Sequence, residues 1–254
     1  MSYDLNKIVL IAGGAGRLGK AFSRSIIDAG GSVFIIDNNE AKLLELYAEL
    51  GKKNIGFQAF DITSPKGIEQ SIDSCVNHFG RVDAIVNAAY PRSPGWGATL
   101  ENLQPEHLFE DLNKQLGGAI LLSQQVIKHF QRQGDGHLIH ISSIQGIAAP
   151  KFEHYEGTSM TSPIEYSAVK SGIIAMTRWI AKYHKNKNIR VNCVSPGGIL
   201  DQQPYSFLKK YRESCTSKGM LDPTDVAGTV LFLLSDQSKY INGQNIVIDD
   251  GWSL

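Results

Sequence analysis

Residues 8–19, IVLIAGGAGRLG, decide the fold. Ile8–Ala12 is a short continuous apolar run, the pattern of a strand covered on both faces. Arg17–Ala29 reads as a helix, and three glycines stand at its entrance. Gly13 permits a tight turn, Gly16 lets backbone approach a pyrophosphate, and Gly19 lets the helix pack closely on the strand. The helix start, with Arg17 and Leu18, offers N–H groups and a partial positive charge to phosphate. A strand, a glycine turn and a helix in this order predict a dinucleotide site.

The same rhythm continues outward. Val33–Asp37, Ile55–Phe60, Asp83–Asn87, His137–Ser142, Arg190–Val194 and Ile246–Ile248 read as further strands. Glu40–Leu50, Pro65–Phe79, Pro105–Gln133, Tyr166–Tyr183 and Thr224–Leu234 read as helices, the third broken near Gly117-Gly118. Repeated strand–helix order predicts an α/β fold: one Rossmann-like, doubly wound domain over residues 1–254, with about seven mostly parallel strands and helices on both faces. Two stretches interrupt the rhythm, 90–105 and 147–165, and loops of that length in a compact domain are often functional.

Asp37 closes the second strand, 18 residues after Gly19. An acid there accepts hydrogen bonds from the adenosine ribose hydroxyls and repels a 2′-phosphate. NAD(H) is therefore the expected cofactor, although Arg17 in the glycine turn keeps NADP(H) open. Asp61 and Ile62, after the third strand, are candidates for the adenine side. Asp61 has an alternative as the cap of the next turn.

Of 254 residues, 42% are hydrophobic and 20% charged, and 25 Lys+Arg balance 25 Asp+Glu. No basic field for nucleic acid or anionic membrane is evident. No stretch approaches a membrane span, and no apolar leader is evident at the N-terminus. Cys75, Cys193 and Cys215 are widely spaced and form no ligand cluster, so no metal site is expected and the thiols suit a reducing, cytoplasmic setting.

Tyr166 and Lys170 form a Y-x-x-x-K pair on one helix face. A free tyrosine has a pKa of about 10, and an adjacent ammonium lowers it. The pair is a candidate for proton transfer to or from an alcohol or carbonyl. Ser142 and Ser143 stand upstream.

In order along the chain come the glycine turn, Asp37, Asp61, Asn87-Ala-Ala, Ser142-Ser-x-x-Gly, Tyr166-x-x-x-Lys, Asn192-x-x-Ser-Pro-Gly and Asn242-Gly-Gln. This series resembles the short-chain dehydrogenase/reductase family over essentially the whole length. The resemblance implies Tyr166 as general acid/base, Lys170 binding the nicotinamide ribose, and Ser143 holding the substrate oxygen. It implies Asn87, Ala88 and Ala89 along the cofactor, and Pro196, Gly197 and Ile199 beside the carboxamide. It also implies a small-molecule substrate and a homodimer or homotetramer.

The chain departs from the family pattern at informative places. Gln115 stands where the family has a catalytic asparagine. Tyr90 replaces a glycine, and Asp201 replaces the threonine after Pro-Gly. Ser143 and Tyr166 are 23 residues apart, a longer spacing than is usual. The extra residues fall within Ala148–Glu165 and make a candidate lid, while Asp201–Ser217 is expected to flank the substrate. Tyr90, Arg92 and His154 are candidate substrate contacts. Trp96, Trp179 and Trp252 read as packing residues.

Asn-Ala-Ala-Tyr-Pro-Arg, the long insert and Ser-Pro-Gly-Gly-Ile together resemble a smaller group, the flagellin modification protein A-like dehydrogenases of nonulosonic acid and surface-glycan synthesis. That likeness implies hydride transfer at a hydroxyl or keto carbon of a polar, sugar-derived substrate. The alternatives are a cofactor-binding regulator or assembly partner without turnover, and an oxidoreductase of lipid or acyl ketones.

Overall fold

A computed structural model describes residues 4–51 and 53–254. Among them, seven strands build a single sheet: β1 (Ile8–Ala12), β2 (Ser32–Asp37), β3 (Ile55–Ala59), β4 (Ala84–Asn87), β5 (Gly136–Ile141), β6 (Ile189–Pro196) and β7 (Asn245–Ile248). Their spatial order is β3-β2-β1-β4-β5-β6-β7. Every pairing is parallel. Eight α-helices accompany them: α1 (Arg17–Asp28), α2 (Glu40–Leu50), α3 (Pro65–Phe79), α4 (Pro105–Asp111), α5 (Gly118–Gln133), α6 (Ile164–Tyr183), α7 (Tyr205–Glu213) and α8 (Pro223–Leu234).

The near-continuous apolar strands split their side chains between two cores, as a period of two requires. Val9 and Ile11 of β1, with Val33 and Ile35 of β2, pack with Phe22, Leu43, Leu46 and Val230 from α1, α2 and α8. Leu10 and Ala12, with Phe34 and Ile36, pack on the other face with Ile68, Ile72, Val126 and Phe130 from α3 and α5, and with Ile180 from α6. Phe22 and Phe130 are fully buried on opposite faces, and each burial stabilises the fold by about 2–3 kcal/mol.

Two local readings change. The α6 helix starts at Ile164, two residues before Tyr166, because Pro163 ends the loop in an extended conformation. Gly117-Gly118 does not break the helix. A π-helical stretch, Leu112–Gly117, joins α4 to α5 and packs on α6. Such wide turns often occur at functional sites.

The sheet order reverses between β2-β1 and β4, which opens a crevice at the carboxyl ends of the strands. Ala12 and Asn87 are register partners at that point. No helix is long and apolar enough to cross a membrane among the described residues.

Candidate active site

Steric limits shape the glycine turn. Gly13 has φ +72°, and a Cβ there would lie 2.6 Å from the Ala89 backbone. A Cβ on Gly19 would fall 2.5 Å from the Gly13 carbonyl oxygen. Gly14 is equally constrained, with Ile35 Cγ2 2.0 Å from the position of a Cβ, and the expected spacing had not flagged it. Gly16 is exposed, and a Cβ there would lie 3.2 Å from the Gly13 carbonyl oxygen. No side chain caps α1, whereas Asn39 caps α2 and Ser64 caps α3. The first-turn N–H groups of α1 therefore have no side-chain acceptor.

Asp37 is tied to this turn. Its Oδ2 accepts a hydrogen bond from the Ala15 N–H at 3.2 Å, and its Oδ1 accepts from the Asn39 N–H at 3.2 Å. Asp61 behaves as the turn cap that was its alternative: Oδ1 accepts from the Thr63 N–H at 2.8 Å and the Thr63 hydroxyl at 2.7 Å. Ile62 packs against the α3-side core. Arg17 is not free beside the turn. Its Nη1 donates to the Leu200 carbonyl oxygen at 3.0 Å, and its Nη2 pairs with Asp201.

Asn87, Ala88 and Ala89 follow β4, and Ala88 N–H donates to the Ala12 oxygen at 2.9 Å. Pro196 ends β6, Gly197 N–H donates to the Ile248 oxygen at 2.7 Å, and Ile199 bridges to Leu221. These residues stand at the carboxyl ends of β4 and β6, on either side of β5 in the sheet. A cradle closed to side chains, an uncapped helix start and a tethered carboxylate fit a dinucleotide.

The two serines are not equivalent. Ser142 Oγ donates to the Lys170 carbonyl oxygen at 2.8 Å, so its proton is used within the fold. Ser143 Oγ accepts from the Gln145 N–H at 3.2 Å and keeps its own proton for another acceptor. Tyr166 stands beside Ser143. Burial raises the Tyr166 pKa, the Ser143 hydroxyl pulls it back down, and Tyr155 pushes it up again. Lys170 is buried, and its Nζ donates to the Ile141 oxygen at 3.0 Å. Burial lowers its pKa to about 8. Its Nζ is 5.5 Å from the Tyr166 ring centre. Burial of the phenol, not Lys170, sets the direction of the Tyr166 pKa here, against the expected lowering by the lysine.

A polar chain runs beneath this pair. Asn87 Oδ1 accepts from the Ala89 N–H at 3.3 Å, which turns its Nδ2 towards His140 Nδ1, 3.3 Å away. His140 Nε2 lies 3.0 Å from Ser123 Oγ, and Ser123 donates to the Ala119 oxygen at 2.7 Å. Asn87 thus donates to a bare Nδ1, and the imidazole is neutral with its proton on Nε2. Burial, then the charge of Lys170, lowers the His140 pKa to about 3. No sequence pattern singled out this histidine. Gln115 lies in the π-helical stretch, and neither atom of its buried amide has a hydrogen-bond partner among the described residues.

Tyr90 and Trp96 form an aromatic corner against Tyr166. Ring centres are 5.6 Å apart for Tyr90–Tyr166, 5.9 Å for Trp96–Tyr166 and 5.3 Å for Tyr90–Trp96. The expectation that Trp96 only packs is corrected: it borders the catalytic candidate. Arg92 Cζ lies 5.4 Å over the Tyr90 ring and Lys170 Nζ lies 5.5 Å from the same ring. His154 is a second correction. It is buried, with Nε2 3.0 Å from Ser214 Oγ and its ring packed among Phe207, Tyr211 and Trp252. Its aromatic surroundings hold the insert down and leave it no open face for a substrate. Lys151 sits 4.9 Å over Trp252.

Parallel sheet, glycine turn and Ser-Tyr-Lys set together define a nicotinamide-type oxidoreductase of CH–OH and keto groups. The chain belongs to the short-chain dehydrogenase/reductase family: a family model described as enoyl-(acyl carrier protein) reductase matches residues 13–253. It is 46% identical over 253 residues to the post-translational flagellin modification protein A of Campylobacter coli, covering 98% of this chain and 99% of that one. It is 33% identical to a 7alpha-hydroxysteroid dehydrogenase of Bacteroides fragilis, covering 98% and 95%. The crystal structure of a short-chain dehydrogenase from Leptospira borgpetersenii with bound NAD+ superposes with a TM-score of 0.87 at 30% identity, covering 98% and 93%.

Proposed function

We propose that this protein is an NAD(H)-dependent oxidoreductase that moves a hydride to or from a hydroxyl or keto carbon of a polar, sugar-derived substrate. Gly13 and Gly16 let the backbone approach the diphosphate, Leu18 and Gly19 offer it first-turn N–H groups of α1, and Asp37 holds the adenosine ribose. Asp37 also favours NAD(H), because its carboxylate repels a 2′-phosphate. The nicotinamide supplies the hydride acceptor or donor. Tyr166 exchanges the proton at the substrate oxygen, Ser143 donates a hydrogen bond to that oxygen, and Lys170 places positive charge behind the phenol. The observation that carries this reading is the division of labour between the serines: Ser142 is committed to Lys170, and Ser143 keeps a free proton beside Tyr166.

The substrate class rests on two supports. The Campylobacter coli relative is named for flagellin modification, and Tyr90 and Trp96, with ring planes 87° apart, set an aromatic corner beside polar groups. Apolar and small residues exposed along α6, among them Ile164, Ala168, Ala175 and Trp179, support a homodimer or homotetramer.

Tyr166→Phe tests the chemistry. Turnover with a responsive sugar or sugar nucleotide falls by about 10²–10⁴-fold, as loss of a general acid/base does, while NADH still binds by fluorescence titration. Undiminished turnover in that variant refutes the assignment. A second reading has its own observation: a cavity of about 810 Å³, lined by apolar side chains such as Ile147, Phe152 and Met160, lies behind Tyr155. It favours a lipid or steroid ketone, and a mixed panel of sugars, steroids and acyl ketones decides between them.

A further inference from the structure

We propose that Arg17 and Asp201 form a clasp across the cofactor crevice, and that Asp201 is a positioning residue that controls how fast the dinucleotide leaves. The proposal rests on the cofactor site described above.

Arg17 is the first residue of α1, the helix whose uncapped N-terminus faces the crevice. Leu200 and Asp201 belong to the connection between β6 and α7, 183 and 184 residues along the chain from Arg17. The guanidinium reaches both, donating to the Leu200 carbonyl oxygen at 3.0 Å and pairing with the Asp201 carboxylate. One planar group thus ties the wall under the diphosphate to the wall beside the nicotinamide, a use suited to the rigid fork of arginine.

The far end of the clasp is built, not loose. Leu200 N–H donates to the Leu221 oxygen at 2.8 Å, and Ile199 bridges to Leu221. Gln203 folds back on the same turn, its Oε1 accepting from the Asp201 N–H at 2.6 Å and its Nε2 donating to the Ile199 oxygen at 3.0 Å. Asp201 Oδ1 also accepts from the Gln202 N–H at 2.8 Å. A carboxylate beside a diphosphate is repelled by it. Paired with Arg17, the same carboxylate becomes an anchor, and the guanidinium contributes positive charge above the phosphates. The engagement also takes Arg17 away from any role at a 2′-phosphate.

Both side chains are about half exposed, so the effect expected of the pair is modest and salt-sensitive. The test is the rate of NADH release, followed by displacement in a stopped-flow instrument. Asp201→Ala raises that rate about fivefold and Asp201→Glu restores it, the size set by an exposed ion pair of up to about 1 kcal/mol. Arg17→Ala raises it at least as much, and the double variant is no faster than Arg17→Ala alone. Hydrogen exchange on the protein without cofactor gives a second readout: amides of residues 199–205 exchange faster in Asp201→Ala.

An unchanged release rate in Asp201→Ala, with a large effect of Arg17→Ala, overturns the clasp and assigns Arg17 to the diphosphate directly. Unchanged exchange in residues 199–205 overturns it as well. Failure of the wild-type protein to bind NADH or NADPH removes the cofactor reading itself, which is a different result from binding with an unaltered release rate.

Discussion

Replacing His140 with asparagine should remove a specific part of the protein's sensitivity to acid. The folded imidazole is held neutral, because Asn87 donates to Nδ1 and Nε2–H is directed at Ser123. The Asn87 amide cannot simply turn over to accept from a protonated ring, since its Oδ1 accepts from Ala89. Burial and the Lys170 charge lower the His140 pKa to about 3, against about 6.5 for an unfolded histidine. The unfolded chain therefore binds the proton first as pH falls. The stabilising contribution is complete above about pH 6.5 and declines steadily between there and about pH 3.

Linkage then gives a loss of about 1.4 kcal/mol between pH 7.5 and pH 5.5, and this figure is the same for any folded pKa below about 4.5. Urea unfolding at the two pH values measures it. The wild-type protein loses about 1.4 kcal/mol more than His140→Asn over this interval. His137, also buried with a lowered pKa, acts in the same direction but cancels in the comparison. The substitution itself costs about 1–3 kcal/mol at both pH values through the partners it leaves. If His140→Asn is too unstable to measure, histidine-ring NMR of the wild type reads the same quantity, with the His140 ring neutral at pH 5. Equal acid losses in the two proteins, or a protonated ring at pH 5, refutes the reasoning.

Asp37→Ala shifts cofactor choice towards NADPH by about tenfold in the ratio of dissociation constants, from removal of a like charge beside the 2′-phosphate; an unchanged ratio in fluorescence titrations contradicts the role given to Asp37. His154→Ala lowers stability by about 2 kcal/mol, as loss of a buried ring among Phe207, Tyr211 and Trp252 should. Thermal unfolding shows that loss, and a raised KM at full stability instead would return His154 to the substrate.

The sheet was legible because each strand carries its own signal. IVLIA at 8–12 and VFIID at 33–37 are continuous apolar runs, and a doubly covered parallel strand needs little else. Tyr166, Lys170 and Ser143 were legible as candidates because the chemistry proposed for them is tied to fixed spacing along one helix and one strand end. His140, Trp96 and His154 were not. Their meaning depends on partners 53, 70 and 60 residues away, namely Asn87, Tyr166 and Ser214. A lone histidine in a strand looks the same whether it faces a core, an amide or a ligand. The direction of the Tyr166 pKa was not legible either: spacing placed the ammonium on the right helix face but carried no information on burial of the phenol, which raises it.

Two of the places where this chain leaves its family pattern, the insert and the turn that carries Asp201, belong to one connected body. Tyr155 of the insert packs on Phe207 of α7, and His154 packs on Tyr211 and Trp252. Lys210 of α7 donates back to the Glu153 carbonyl oxygen at 2.6 Å. Tyr211 in turn accepts from the Gly198 N–H at 2.6 Å, next to the residues that meet Asp201 and Arg17. An insert fastened this way does not swing alone over the site. Any opening of the β6–α7 connection must either carry residues 151–155 with it or break a buried aromatic cluster, and the first path is the cheaper one because the cluster buries several large rings at once. Under the proposed clasp, substrate entry and cofactor release would be coupled through α7, because the insert fastened to α7 by Tyr155 and His154 stiffens the wall that Arg17 and Asp201 would hold.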